Sequence, residues 1–227
     1  MCGRFTLISD ISEIEDTFAV DKIDYEYRPR YNIAPSQTIA VINGNSGKRV
    51  LEGYRWGLVP FWAKDIKIGY KMINARAETI QSKPAFRHLL TTKRIIIPSD
   101  GFYEWKREGK DKKQPYRFQI KSKNVYGFAG LFDEWKDPEG EILRSCTIIT
   151  TKPNDLVSDV HDRMPVILDR GTADIWLDPE VTDKEKLQKL LAPFPADNML
   201  SYPVSAAVGS VKNSGSNLID EVPLNSK

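Results

Sequence analysis

Short apolar runs punctuated by Gly, Pro, Asn and Asp dominate this chain. They predict strands over residues 4–8, 38–42, 94–97, 116–120, 125–132, 146–150 and 166–168. Residues 116–121 alternate with period two, which gives that strand one dry and one wet face. Ile95-Ile96-Ile97 and residues 125–131 are more continuously apolar and belong at a sheet centre. Helical spacing is rarer. Residues 9–18 set Ile11, Ile14 and Phe18 on one face. Residues 82–90 offer Ser82 as a cap and Pro84 in the first turn, where its missing N–H costs nothing. Residues 172–177 form a short helix. Residues 182–191 open on Thr182-Asp183-Lys184-Glu185, a capping box, and Pro193 and Pro195 stop that helix. No repeat or interior Gly/Ser linker interrupts the pattern. It predicts one α+β domain over residues 1–210, an antiparallel barrel-like sheet with flanking short helices, and a loosely held polar tail over 211–227.

The length of 227 residues is compatible with one large domain at about 150 residues per domain. An apolar fraction of 41% with 28% charged residues excludes collagen, an acidic disordered tail and a disulfide-dense mini-protein. No apolar run approaches the roughly 18 residues of a membrane helix, so no membrane partner is expected. Thirty-three basic against 31 acidic residues leave +2, which neither demands nor excludes nucleic acid. Cys2 and Cys146 are too few for a disulfide framework, and no secretory pattern follows Met1, so a reducing cytoplasm is expected. Two cysteines and two histidines without C-x-x-C or H-x-x-x-H spacing predict no metal, and no cofactor is expected.

Cys2 is the first chemical candidate. Aminopeptidases generally remove Met1 before a small residue, leaving a cysteine with a free amine. That amine, of pKa about 7.7–8.0, can attack an aldehyde near neutrality, and the thiol can close on the imine to a thiazolidine. Position alone reads more simply as a small buried residue. His88 lies in a helical stretch and reads as structural. His161, in Asp159-Val160-His161-Asp162-Arg163-Met164-Pro165, suits acid–base work at a strand mouth, or is an incidental loop histidine. Glu104, flanked by Phe102, Tyr103 and Trp105, would share a strand face with Phe102. Pushed against apolar surface, its carboxyl would hold a proton near neutrality; otherwise it is an ordinary edge glutamate. On a strand, Asn74, Arg76 and Glu78 would face one way. Trp56, Phe61 and Trp62 serve either as core or as stacking surfaces for unpaired bases.

Together, Met-Cys-Gly-Arg-Phe at 1–5, Tyr31-Asn32-Ile33-Ala34-Pro35, Trp56-Gly57-Leu58-Val59-Pro60-Phe61-Trp62, Asn74-Ala75-Arg76-Ala77-Glu78, Gly101-Phe102-Tyr103-Glu104-Trp105, Phe128-Ala129-Gly130-Leu131 and His161-Asp162-Arg163-Met164-Pro165 resemble the SOS response-associated peptidase (SRAP) family. Pro153 stands where the family pattern has Ala, in a turn expected to touch DNA. The resemblance implies covalent crosslinking to abasic sites in single-stranded DNA, shielding them from strand cleavage. Cys2 would form the thiazolidine, Asn74 hold the N-terminus or sugar, His161 open the sugar ring and Glu104 shuttle protons. Arg4, Arg76 and Arg163 would hold flanking phosphates, and Phe61 and Trp62 would wedge at a single/double-strand junction. It further implies hydrolysis of the Met1–Cys2 bond in cis and crosslink reversal. Apart from the resemblance, a monomer is expected, cytoplasmic and nucleoid-associated when bound to DNA. A thiol peptidase acting in trans and a non-covalent single-strand or modified-DNA binder are the rival readings.

Overall fold

The computed structural model describes residues 2–44, 47–109, 113–121 and 125–224. Among these the strands, in chain order, are Phe5–Leu7 (β1), Lys22–Ile23 (β2), Arg30–Ile33 (β3), Thr38–Asn43 (β4), Val50–Trp56 (β5), Asn74–Arg76 (β6), Arg94–Ser99 (β7), Gly101–Arg107 (β8), Lys113–Ile120 (β9), Tyr126–Lys136 (β10), Ile142–Thr151 (β11), Met164–Pro165 (β12), Ile167–Leu168 (β13) and Met199–Pro203 (β14). Strands β11, β10, β7, β4 and β5 pair in sequence, and β5 returns to β11. That last pairing, Ser145 with Arg55 and Cys146 with Trp56, closes a five-stranded barrel. The four other seams are antiparallel and the closing one is parallel. The α+β barrel read from the sequence is therefore the fold, with one seam of the opposite sense. Closure removes the exposed edges that an open sheet of this length would carry.

The centrally predicted segments occupy the centre. Ile95, Ile96 and Ile97 on β7 are fully buried, and β10 crosses them closely because it lacks side chains at two crossings. A Cβ at Gly127 or Gly130 would run into Ile96 or Ile97. A second sheet, β14-β9-β8-β1-β3, lies against the barrel through interlocked rings. Phe5 meets Trp56 at 5.4 Å and Phe128 at 5.8 Å, and Phe102 stacks on Phe118 at 5.0 Å. The opposite face of β8 is also covered. Tyr103 packs there with Val204, Val208 and Leu218.

That second cluster corrects the expected loose tail. Leu218 is 1% exposed, Val222 N–H donates to Pro203 O at 3.0 Å, and Glu221 bridges Val204. One apolar side chain within a polar run supplies the plug that holds the segment.

The helices are Ile11–Phe18 (α1), Leu89–Thr92 (α2), Asp155–Ser158 (α3), Arg170–Leu177 (α4) and Lys184–Lys189 (α5). The helix expected over 82–90 shrinks to α2. The Ser82 hydroxyl donates back to Thr79 O instead of capping forward, and residues 83–88 form successive turns. At α5 the cap is Asp183, not Thr182: its carboxylate accepts from Glu185 and Lys186 N–H. None of the helices among the described residues is long and apolar enough to cross a membrane.

Candidate catalytic and nucleic-acid site

The site begins where the chain enters β1. Phe5 pairs with Phe102, and Tyr103 N–H donates to Arg4 O at 3.0 Å. Extending this antiparallel register runs Gly3 and Cys2 alongside Glu104 and Trp105. Cys2 is fully buried. Burial, reinforced by Glu104, pushes its thiol well above the ordinary value, so it is a protonated thiol in this state. Met1 lies outside the described residues.

Alternation along β8 does what the sequence predicted. Phe102 and Glu104 face the main core, and Tyr103 and Trp105 face the second cluster. Glu104 is 2% exposed, and burial, with Asp162 adding, pushes its carboxyl up to about 8. Its Oε1 is buried without a hydrogen-bond partner among the described residues. Its Oε2 lies 3.7 Å from His161 Nε2. The imidazole moves the other way: burial lowers its pKa. Near pH 7 the pair is thus a neutral carboxylic acid facing a neutral imidazole. His161 Nδ1 is held by the Arg163 backbone, 3.0 Å from its N–H and 3.2 Å from its carbonyl oxygen, with Asp162 Oδ1 at 3.2 Å, which keeps Nε2 turned toward Glu104.

Strand β11 gathers the remaining candidates. β6 runs parallel to it, pairing Asn74 with Ile148 and Arg76 with Thr150, while β12 pairs Pro165 with the same Thr150. The stretch holding His161 and Arg163 therefore arrives beside Asn74 and Arg76. Asn74 Nδ2 donates to Ile148 O at 3.5 Å, and its Oδ1 is buried without a hydrogen-bond partner among the described residues. The strand expected to carry Glu78 ends at Arg76. A 3-10 turn, Ala77–Thr79, follows and takes Glu78 to Arg163, which it grips through both oxygens at 2.7 and 2.9 Å.

The basic residues differ in availability. Arg76 is exposed. Arg163 is held by Glu78 and by Thr150 O at 2.7 Å. Arg4 donates to Asn32 Oδ1, Val208 O and Gly209 O at 2.9, 2.6 and 3.0 Å, so its fork also fastens the C-terminal segment. Of the tryptophans, Trp56 is core. Phe61 and Trp62 are 68% and 50% exposed on a loop fixed by Phe61 N–H donating to Asp133 Oδ2 at 2.9 Å. Among the described residues no group of three or more His, Cys, Asp or Glu could hold a metal. Sequence reasoning missed the Glu78 grip, because no local signal marks where β6 ends. It also missed the exposed Tyr70, which lies outside every motif.

The site thus gathers a buried thiol, a protonated carboxyl, a neutral imidazole and a basic, aromatic rim. The family model described as SOS response associated peptidase (SRAP) matches residues 1–211, and the chain belongs to this family. It is 53% identical over 222 residues to the abasic site processing protein YoqW of Bacillus subtilis (strain 168), covering 97% of this chain and 99% of that protein. It is 36% identical over 218 residues to the abasic site processing protein HMCES of Gallus gallus, covering 82% of this chain and 64% of that protein. A crystal structure of a protein from Bacteroides thetaiotaomicron superposes with a TM-score of 0.89 at 27% identity, over 98% of this chain and 100% of that one.

Proposed function

We propose that the protein processes abasic sites by capturing them covalently in single-stranded DNA through Cys2. The observation that carries this reading is Glu104: a buried carboxyl with a pKa of about 8, 3.7 Å from a neutral His161 and electrostatically coupled to Cys2. An abasic deoxyribose is a masked aldehyde. His161 and Glu104 together supply the proton that lets the ring oxygen leave C1′ as a hydroxyl. The Cys2 amine, freed by loss of Met1, adds to the C1′ aldehyde. Water leaves with a proton from Glu104, and a protonated imine remains beside the Glu104 carboxylate. Sγ then bonds to C1′ as the C=N electron pair settles on nitrogen, and the Sγ proton returns to the Glu104 carboxylate, closing the thiazolidine and restoring the acid. One water is lost overall. A group with a pKa near the working pH suits both donation and acceptance. The reverse path through the same groups reverses the crosslink.

Asn74 Oδ1, a buried acceptor without a partner among the described residues, suits the amine of the processed N-terminus. Arg76, with Arg163 beside it on Thr150, supplies phosphate contacts, Arg4 adds a further basic group, and Phe61 and Trp62 supply stacking at a strand junction. The same acid and imidazole can serve hydrolysis of the Met1–Cys2 bond in cis. A thiol peptidase acting in trans is less well supported, because it needs a thiolate and burial keeps Cys2 protonated.

Intact-mass spectrometry after incubation with an abasic oligonucleotide tests the reading. The expected product lacks Met1, carries the oligonucleotide less one water and survives denaturation. Crosslinking by Cys2→Ala at the wild-type level refutes it.

A further inference from the structure

We propose that the turn Ile66–Lys71 is a second nucleic-acid subsite, in which Tyr70, backed by Arg55, stacks on an unpaired base flanking the captured lesion. The proposal extends the reading above and rests on it for the lesion alone. Among the described residues, the large aromatic side chains that stand exposed are Phe61, Trp62 and Tyr70, at 68%, 50% and 61%. All three fall within ten residues. Such a concentration on an otherwise well-packed chain marks a partner surface.

The turn is built, not loose. Gly57, at φ 125°, lies against Gly69 so closely that a Cβ on either would sit 2.7 Å from the other's carbonyl oxygen. Leu58 N–H donates to Met72 O at 3.1 Å, and Asp65 accepts from Lys67 N–H at 2.8 Å. The Arg55 guanidinium lies 5.6 Å from the Tyr70 ring centroid and is tethered by donation to Ser36 O at 2.8 Å. A cation on one face and open solvent beside the ring suit a stacked base.

The charge fits the same occupant. Lys64, Lys67 and Lys71 are exposed, and of these only Lys67 has an acidic partner among the described residues, Asp65 at 3.9 Å. Arg55 pairs with Ser145 and Ser145 with Asp133, which holds Phe61 N–H. The residues that hold Tyr70 and Phe61, Arg55 and Asp133, are therefore on strands flanking β11, with backbones two strand spacings apart, about 10 Å. Asn74 follows Tyr70 within about 14 Å of extended chain.

The test is fluorescence anisotropy on undamaged single strands of different length, across a salt series. Tyr70→Ala should weaken a long strand about 5- to 100-fold, with Tyr70→Phe restoring it, and a strand too short to reach the turn should be insensitive. Lys64→Ala with Lys71→Ala should lower the salt slope by about two. Unchanged long-strand affinity and salt slope in folded variants overturn the subsite. These readouts need no crosslink, so loss of the subsite and loss of the capture chemistry are separable.

A separate observation carries a second inference: the geometry points to Glu78 as a positioning residue for His161. Glu78 grips the Arg163 fork, Thr150 O holds the same group, and the Arg163 backbone, through its N–H at 3.0 Å and its carbonyl oxygen at 3.2 Å, holds His161 Nδ1. Glu104, Asp162 and Arg107 are the charged groups acting on that ring. Nitrogen-15 NMR of the imidazole should show a shifted tautomer ratio in Glu78→Ala relative to the wild type, partly restored in Glu78→Gln. Identical ring shifts in Glu78→Ala and wild type overturn it.

Discussion

Replacing Glu104 by Gln should stabilise the protein while disabling it, and the stabilisation should grow with pH. In the folded chain the carboxyl holds its proton up to about pH 8, whereas its ordinary value is 4.5. Between those values the unfolded chain binds fewer protons than the folded one, so wild-type stability falls as pH rises. Each pH unit is worth about 1.4 kcal/mol. The difference between Glu104→Gln and wild type should therefore be near its baseline at pH 4.5. It should reach about 3 kcal/mol at pH 7 and about 5 kcal/mol above pH 8. For a chain of this length about 3 kcal/mol corresponds to a melting shift of about 6–12 °C. His161 titrates in both proteins and cancels to first order. A constant offset from an imperfectly bonded amide leaves the slope intact, so the slope is the diagnostic quantity. The assay is urea unfolding at pH 5, 6, 7 and 8, with crosslinking rate measured alongside. That rate should drop about 100-fold or more, as loss of a general acid–base group does. A stability difference flat from pH 5 to 8 would refute the buried, protonated carboxyl and the mechanism built on it.

Other perturbations probe the supporting structure. Asp100 receives N–H donation from Ile8 and Ser9 and pairs with buried Arg117 at 3.3 Å; Asp100→Ala should cost about 3–5 kcal/mol in chemical unfolding, because Arg117 is left unpaired. At Gly101 a Cβ would meet Arg117 Nε at 2.6 Å and Thr6 Oγ1 at 2.8 Å, so Gly101→Ala should lower the urea midpoint by roughly 1–3 kcal/mol equivalent. Leu218→Ala should cost about 2–3 kcal/mol, and truncation after Ser210 at least as much; an unchanged melting temperature would restore the loose-tail expectation. Trp62→Ala should leave thermal stability within about 0.5 kcal/mol while weakening single-strand binding about 5-fold or more, measured by anisotropy.

Local pattern determined a good deal about this molecule. Period-two runs marked β9, continuous apolar runs marked β7 and β10, and alternation around Glu104 put it on the Phe102 face. These succeed because a strand's two faces are written in adjacent residues. The ordered motifs around Cys2, Asn74, Glu104 and His161 likewise carried the family, since residue type and spacing suffice for that. Tertiary structure decided the rest. The parallel β5–β11 seam joins segments about ninety residues apart and leaves no local trace. Whether Glu104 is an edge glutamate or a carboxyl with a pKa of about 8 depends on its burial on the Phe102 face of β8, which the packing of distant strands supplies, while Leu218 and Val208 cover the opposite face from the far end of the chain. Glu78 meets Arg163 only because β6 and β12 flank the same strand. Burial and long-range pairing set these charges, and neither is a property of neighbouring residues.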